Sequence, residues 1–409
     1  SNGGKVVSCF WDMQTTGQMG SFGGKGLTTE QMKTMSIYQN AGWAGKGWVI
    51  NDGEDYPHLS WEGTEGILIP SPLPIPLAGM GTAESPYLIA TAEDFAKLSW
   101  YSEVLDKHIR LTTNLDVNGI LLYPIGDLGS FTGIFDGNGK TIHNVVIYQP
   151  DSDNVGLFGY LGNGGQIIDL GVVNSSVVGE GCVGGLVGYD DHGMIVTSYA
   201  TGSVSGLFAI GGLVGYDNYS TITSSYAACS VNCSYYYAGG LAGRFWGSVI
   251  NGCYSTSSVS GTGNHMGGLV GDNIIYSIIT NCFWDKESSG QSVGVGDGPS
   301  TGITGKTTAE IMTLATFTGV GWDFTEGDGD GAEWMMLREG EDYPRLAWQE
   351  VYGGDIAGRY GVDMEDLLEV AGNWLEEGCP AGCEEADING DGRVDLEDWA
   401  VLAGEWLKS

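Results

Sequence analysis

Positively charged residues are scarce in this sequence. Its 409 residues include 16 Lys and Arg against 51 Asp and Glu, which gives a formal net charge of −35. Such a chain repels phosphate backbones, so nucleic acid is not expected as a partner. Cations are the expected counterions of such a chain, and acidic secreted proteins often bind calcium. Solubility in a salty medium is the other explanation for the acidic excess.

Histidine is also rare, and the cysteines lack the spacing of a zinc site. The chain has five His and eight Cys, with no C-x-x-C motif, so zinc and thiol chemistry are not expected. An oxidising compartment fits the cysteine content better. No membrane span or signal peptide is visible, and we expect the export signal to have been removed or never included.

Glycine, in contrast, is abundant. The chain has 70 Gly residues, well above the average usage of about 7%. The absence of a Gly-X-Y period excludes collagen, and a hydrophobic content of 42% argues against wholesale disorder. The composition therefore predicts a turn-dense fold in which many backbone positions tolerate little side chain.

A glycine-rich string recurs along the chain at intervals of 27 to 29 residues. Its central leucines are Leu157, Leu186, Leu213, Leu241 and Leu269. A second, β-branched and aromatic signature follows about twelve residues later, at 198–204, 225–231 and 253–259. Period and pattern predict a right-handed parallel β-helix of about 28 residues per coil, with three short strands per turn.

These repeats resemble the GLUG motif of large bacterial surface proteins, over roughly residues 150–290. The resemblance implies a β-helix and a secreted, extracellular or cell-surface location, and it implies no reaction. Upstream, a strand at 81–89 and an amphipathic helix at 91–98 are predicted to cap the solenoid. An early coil is predicted at 131–142, with a tight turn at 136–139.

A longer-range duplication sets the predicted domain boundaries. Residues 9–12, 26–32 and 53–61 match 282–285, 305–312 and 340–348. We therefore interpret 1–62 as the end segment of an upstream β-helix whose body is missing, and 63–80 as a Pro-rich linker. The β-helix itself is predicted over 81–290, its own end segment over 291–349, and a separate calcium-binding domain over 350–409.

The strongest chemical motif is an EF-hand-like loop at 387–398. It places oxygen-bearing side chains at loop positions 1, 3, 5, 9 and 12 and a glycine at position 6, a spacing that suits the six to eight oxygens calcium requires. A merely acidic turn is the alternative. The predicted ligands are Asp387, Asn389, Asp391, Asp395 and Asp398, with the backbone carbonyl of Arg393.

Residues 355–366 repeat this loop without gaps, and the duplicated arrangement resembles a type I dockerin. The resemblance implies a helix face, ordered by calcium, that binds a cohesin-like protein. The first copy departs from the pattern at Ala357, Arg359 and Tyr360, so it predicts only a weak second site, formed by Asp355, Asp363 and Asp366. Cys379 and Cys383 flank the joint between the copies and are predicted to form a short disulfide.

Three features within the repeats have two explanations each. Cys253 and Cys282 occupy equivalent positions in successive coils and are either bridged or free, and Cys229 and Cys233 could pair across a turn. Turn acids should stack along one edge, as a calcium ladder or from ordinary turn preference. An aromatic cluster could stack on sugar rings or form a packed exterior ladder. The stacking acids and amide are Asp190, Asp217 and Asn273, and the aromatic residues are Tyr235, Tyr236, Tyr237, Phe245 and Trp246.

The favoured hypothesis is a non-catalytic extracellular scaffold, structural or adhesive, attached to a partner through the dockerin-like module. The first alternative is a subunit of a head-to-tail filament, in which residues 1–62 pack on a neighbouring subunit. The second is a carbohydrate-active β-helix enzyme, a lyase or hydrolase. The scarcity of basic residues in and near the repeats, Arg244 and Lys286, argues against it. Expected partners are a cohesin-like protein, the chain itself or a cell-surface polysaccharide.

Overall fold

A computed structural model describes residues 9–18, 24–63, 65–70, 77–120, 122–127, 129–274, 277–324, 333–336 and 338–349. Described residues up to Ile311 form one compact unit, and those from Met312 onward form a second. Within these described ranges the chain is mainly β, with few and short helices. No helix in these ranges is long and apolar enough to cross a membrane.

The N-terminal part combines short strands and helices. In chain order these are β1 (Phe10–Asp12), α1 (Met13–Thr16), β2 (Lys25–Leu27), α2 (Thr29–Met32), α3 (Met35–Asn40), β3 (Trp48–Ile50), β4 (His58–Leu59), the 3-10 turn Ser60–Glu62 and β5 (Ile67–Leu68).

The solenoid follows. Its elements are β6 (Tyr87–Ile89), α4 (Ala92–Lys97), the 3-10 turn Ser102–Val104, β7 (His108–Leu111), β8 (Leu115–Asp116), β9 (Ile134–His143), β10 (Val146–Tyr148), β11 (Phe158–Leu161), β12 (Gln166–Val178), β13 (Gly181–Gly184), β14 (Val187–Asp191), β15 (Met194–Val196), β16 (Tyr199–Gly211), β17 (Val214–Asn218), β18 (Thr221–Thr223), β19 (Tyr226–Gly239), β20 (Ala242–Trp246), β21 (Val249–Asn251), β22 (Tyr254–Ser255), β23 (Ser258–Gly261), β24 (Asn264–Gly267), β25 (Val270–Ile274) and β26 (Ile278–Thr280).

The end segment closes the described chain. It contains β27 (Cys282–Asp285), α5 (Lys286–Ser289), β28 (Val295–Asp297), β29 (Ile303–Lys306), α6 (Thr308–Ile311), α7 (Leu314–Thr318), β30 (Trp334–Met335) and β31 (Arg345–Leu346).

Strands of the first unit wind into a parallel β-solenoid of about seven turns. One sheet has 18 strands, because long strands such as β16 and β19 bend around corners and pair on more than one face. A second sheet has six strands, in the order β11-β14-β17-β20-β25-β28. In it Val187 pairs with Val214, Val214 with Ala242 and Ala242 with Val270. Each predicted repeat is therefore one coil, which confirms the parallel β-helix.

Inward-pointing aliphatic side chains stack from coil to coil and form the core. One such column contains Ile147, Val177, Val204, Val231 and Val259, which occupy paired positions in β10, β12, β16, β19 and β23. All five are buried. Full burial of such a side chain contributes about 1.5 to 3 kcal/mol to stability, so every added coil extends the core.

The paired glycines of the repeat are required by the tight corner before the buried leucine. A Cβ on Gly211 would lie 2.0 Å from the carbonyl oxygen of Val214, which is closer than any real contact. Only glycine allows the backbone to fold back this closely.

The capping elements predicted upstream are present. Strand β6 pairs with β7, and α4 buries Phe95 against Phe135 at a ring-centroid distance of 6.2 Å. The predicted turn at 136–139 is a coil corner, where Asn138 takes a positive φ of 53°. Both halves of β9 then pair in parallel with β12.

The sequence duplication has a structural counterpart. Oδ1 of Asp285 accepts hydrogen bonds from the amides of Glu287 and Ser288, and Oδ2 accepts one from the Thr308 hydroxyl at 2.8 Å. Asp12 makes the same three bonds to Gln14, Thr15 and Thr29. Each aspartate therefore caps a short helix and ties it to the following strand and helix.

The first copy also packs against the cap of the solenoid through Lys25, which is 1% exposed. Its Nζ donates to the Ser99 carbonyl at 3.1 Å and lies 3.8 and 4.0 Å from the ring centroids of Trp100 and Tyr123. Burial lowers the pKa of Lys25 to about 7, although the charge of Asp127 acts in the opposite direction.

Candidate functional site

The predicted calcium ligands lie outside the described residues. This holds for the loop Asp387, Asn389, Asp391, Arg393, Asp395 and Asp398, for the weaker site Asp355, Asp363 and Asp366, and for the predicted disulfide Cys379–Cys383. Within the described ranges no group of three or more His, Cys, Asp or Glu side chains is arranged to hold a metal ion.

The outer surface of the six-stranded sheet carries aromatic and charged side chains. One outward position of successive strands forms a continuous column, occupied by Tyr160, Tyr189, Tyr216, Arg244, Asp272 and Asp297. The rings of Tyr160 and Tyr189 are 5.0 Å apart and those of Tyr189 and Tyr216 are 5.2 Å apart, close to the roughly 4.8 Å spacing of the strands.

Arg244 is the centre of this surface. Its Nε donates to Oδ2 of Asp272 at 3.0 Å, and its guanidinium carbon lies 5.3 and 5.1 Å from the ring centroids of Tyr216 and Tyr237. Burial raises the pKa of Asp272, and the Arg244 hydrogen bond offsets only part of that effect. The two rings and the carboxylate together fix the orientation of the guanidinium.

A corner formed by residues in the left-handed backbone conformation places further aromatic rings near Arg244. Cys182, Ala209, Tyr237 and His265 lie in register on four coils with φ between 51° and 67°. The ring of His265 lies 5.4 Å from that of Tyr237 and 6.3 Å from that of Tyr236. Its Nδ1 is 3.4 Å from Oδ2 of Asp297.

Asp191 organises the neighbouring outward column. Its carboxylate accepts hydrogen bonds from the Tyr160 hydroxyl at 3.0 Å and the Asn218 amide at 2.8 Å, and it lies 2.7 Å from Nδ1 of His192. Burial acts to raise the pKa of Asp191, but these bonds outweigh it and hold the pKa below its ordinary value. Trp246 occupies the paired position two coils further along.

We call the outward residues around Arg244 the tyrosine–arginine face, defined as Tyr160, Tyr189, Tyr216, Tyr236, Tyr237, Arg244, Trp246, His265 and Asp272. The predicted aromatic cluster contributes three of its members. Phe245 does not belong to it, because strand alternation turns its side chain into the core. The tyrosine column was not predicted from the sequence, although a Gly-Tyr pair recurs in three repeats.

Beneath this face, the predicted acid ladder is present and buried. Asp190 pairs with Asp217 on the next coil, and Phe245 separates Asp217 from Asn273. Neither aspartate is exposed, and among the described residues Asp190 Oδ2 and both oxygens of Asp217 have no hydrogen-bond partner. The Ser248 hydroxyl and the Ser220 amide act to lower the pKa of Asp217. Desolvation dominates and raises it to about 7.

Asp190 is perturbed in the same direction as Asp217. Burial raises its pKa well above the ordinary value, and the charge of Asp217 adds to the effect. Two stacked carboxyl groups in an apolar interior resist simultaneous ionisation.

The solenoid cysteines are reduced thiols in this structure. Cys253 and Cys282 precede paired residues on neighbouring coils, and each donates to a backbone carbonyl, of Asn251 and Thr280 respectively. Cys229 and Cys233 likewise donate to carbonyls and form no bond to each other. No disulfide bond joins either of these two pairs in this structure.

A concave region of about 490 Å³ crosses several coils near the start of the solenoid. Asparagine side chains border it, and Asn174 donates to Asn144 at 2.7 Å, which in turn donates to Asp116 at 2.9 Å. These bonds join one coil to the next. The amides are therefore occupied by the fold itself.

Comparison with known proteins gives partial similarities. No family model matches the chain. It is 34% identical over 135 residues to halomucin of Haloquadratum walsbyi, covering 31% of this chain and 2% of halomucin. It is 36% identical over 126 residues to a "Putative Gly-rich membrane protein" of Evansella cellulosilytica, covering 29% of this chain and 14% of that protein. The chain thus matches only a small part of the length of either relative.

Among solved structures, the chain is similar to a "putative immunoglobulin A1 protease" from Bacteroides ovatus. The similarity has a TM-score of 0.48 at 18% sequence identity, and it covers 66% of this chain and 95% of that one.

Proposed function

We propose that this chain is a non-catalytic extracellular scaffold, structural or adhesive, that is held to a partner by its calcium-dependent dockerin-like module. The observation that carries the proposal is the register of the six-stranded sheet, which is kept from coil to coil. Each repeat adds the same buried column and the same paired strands. A solenoid of this kind gains stability and length with each repeat and presents a regular surface.

The relatives support a location outside the cytoplasm. One is named a membrane protein and the other halomucin, and both names fit a cell-surface or secreted setting. The tail supports attachment, since residues 350–409 contain 16 acidic and three basic residues. A bound cation would relieve their mutual repulsion and order the dockerin-like loops.

The second candidate function is a head-to-tail filament subunit, and one difference between the duplicated segments favours it. Strand β27 pairs with β22 on one edge and β29 on the other, whereas the equivalent strand β1 pairs with β2 alone among the described residues. An open edge of this kind accepts a strand from another molecule.

Particle size distinguishes these two functions. We would measure light scattering and negative-stain images of the full chain in millimolar calcium and again after chelation. A tethered scaffold stays monomeric in both conditions. Large particles that dissolve on chelation would establish calcium-dependent assembly and replace the first proposal by the second.

Absence of catalysis is tested separately, by incubating the chain with soluble polysaccharides. The scaffold function predicts no release of reducing ends and no absorbance from unsaturated products. Release that disappears in Arg244→Gln would show that the Arg244–Asp272 pair belongs to an active site.

A further inference from the structure

We propose that the tyrosine–arginine face binds a neutral polysaccharide, with Trp246 and Tyr236 stacking on pyranose rings and Arg244 donating hydrogen bonds to sugar hydroxyls. This inference rests on the proposed function and deepens it, because it names the class of ligand to which the scaffold adheres.

Exposed aromatic rings are the first argument. Tyr236 is 48% exposed and Trp246 is 37% exposed, and both belong to the coil that contains Arg244. Trp246 lies two residues after Arg244 in β20 and points to the same side of the sheet. Flat rings held at a surface match the apolar face of a pyranose, which presents C–H groups above and below its plane.

The second argument is a preorganised donor on the same coil as those rings. Nε of Arg244 is occupied by Asp272, and neither Nη atom has a hydrogen-bond partner among the described residues. The side chain remains 30% exposed, so these donors reach solvent. A guanidinium already fixed by two tyrosines loses little freedom when it binds hydroxyl oxygens.

Charge selects a neutral ligand over an acidic one. Asp272 compensates Arg244, and the ionised Asp191 adds a negative charge to the same sheet. The whole chain carries −35. The negative charge of the protein would repel a polyanion such as a polyuronate before it reached the face. A neutral polysaccharide has no net charge and would not be repelled.

The repeat geometry selects an extended chain over a single sugar. The tyrosine rings of three coils follow each other at 5.0 and 5.2 Å, and the column continues through Arg244 to Asp297 on further coils. A ligand that runs along the coils can contact several equivalent positions. Weak contacts at each one then add up to useful affinity.

A protein partner is the competing occupant and is less well matched. Protein interfaces have an apolar core from which charged side chains are depleted. Here Arg244, Asp272 and the hydrogen-bonded Asp191 lie among the aromatic residues, in the pattern of a polar ligand that offers both hydroxyls and apolar ring faces.

Native gel electrophoresis of the full chain tests the proposal. The gels contain galactomannan, xyloglucan, mixed-linkage β-glucan or dextran, with polygalacturonate as the acidic comparison. We expect at least one neutral polysaccharide to retard the chain and polygalacturonate to have no effect. The double variant Tyr236→Ala, Trp246→Ala should bind about tenfold more weakly, given the strength of aromatic contacts.

Matched variants separate binding from folding. Both substituted rings are exposed, so the double variant should keep the wild-type circular dichroism and melting temperature. Tyr148→Ala, which removes a 60% exposed ring from β10, outside the tyrosine–arginine face, should retain full retardation. Arg244→Gln should also weaken binding about tenfold, because it removes the fixed donors.

Several results would overturn the proposal. They are the absence of retardation by every neutral polysaccharide, retardation by polygalacturonate alone, or equal retardation of the wild type and the double variant. Calcium binding by the tail and the monomeric state are measured on the same preparations. Their persistence would leave the scaffold function standing while this inference fails.

Discussion

At the residue scale, the buried pair Asp190 and Asp217 should make stability depend on pH. Their pKa values are raised in the folded chain, that of Asp217 from 3.8 to about 7. The unfolded chain therefore loses these protons near pH 4 while the folded chain keeps them. Stability is greatest below pH 4 as far as this pair is concerned, and it falls as pH rises towards 7.

The test is chemical denaturation at pH 5 and pH 8. Asp217→Asn, which is neutral and similar in shape, should remove much of the loss between these pH values, on the order of a few kcal/mol. The exposed Asp151→Asn serves as control and should retain the wild-type dependence. An unchanged pH dependence in Asp217→Asn would show that the carboxyl does not stay protonated in the fold.

Lys25 predicts the opposite trend at higher pH. Its pKa falls from 10.5 to about 7 in the folded chain, so the unfolded chain binds more protons between pH 7 and 10.5. Stability should accordingly rise with pH across that window.

Denaturation at pH 7 and pH 9 measures this effect. The wild type and the exposed control Lys46→Met should both be more stable at pH 9. Lys25→Met should lose this gain, because no ammonium is left to desolvate. A gain of equal size in Lys25→Met would place its origin elsewhere.

The location of some single residues in the fold could be predicted from the sequence, and that of others could not. The stacking of Asp190 on Asp217 follows from the repeat period alone. The inward direction of Phe245 does not, because this repeat carries an aromatic residue where its neighbours carry Asp217 and Asn273. The burial of Lys25 could not be predicted from the sequence either, because the rings that cover it, Trp100 and Tyr123, are distant in sequence.

At the element scale, the aspartate cap of the duplicated segment is the clearest target. Asp285 is fully buried, caps α5 and bonds to Thr308. Asp285→Ala should destabilise the chain by about 2 kcal/mol, the sum of a lost helix cap and a lost buried hydrogen bond. Urea denaturation provides the measurement.

Lys286→Ala is the matched control, since it changes the adjacent, exposed position of the same helix. It should leave stability within about 0.5 kcal/mol of the wild type. Equal effects of both substitutions would show that the cap contributes nothing.

The strands could be predicted where the sequence repeats with a fixed period. The 28-residue repeat specified strands, coils and register, because each coil must bury the same positions. The turn at Asn138 was harder to interpret, since the same Asp-Gly-Asn-Gly residues serve a hairpin or a coil corner. Only the parallel pairing of both flanks with β12 decides between them.

At the scale of the whole molecule, the sequence predicted the parallel β-solenoid that the structure shows. It did not predict the tyrosine–arginine face, which assembles Tyr216, Tyr237, Arg244 and His265 from three coils. Such a surface depends on corner geometry and on which strand faces point outward. Both emerge only when the coils are stacked.

Attachment through the tail is the central claim, and calcium titration tests it most directly. We would titrate calcium into the full chain by calorimetry and follow circular dichroism at 222 nm. The account predicts saturable binding with a gain in helical signal, both lost in the double variant Asp387→Ala, Asp391→Ala. A chain that neither binds calcium nor changes its spectrum would contradict the dockerin-like tether.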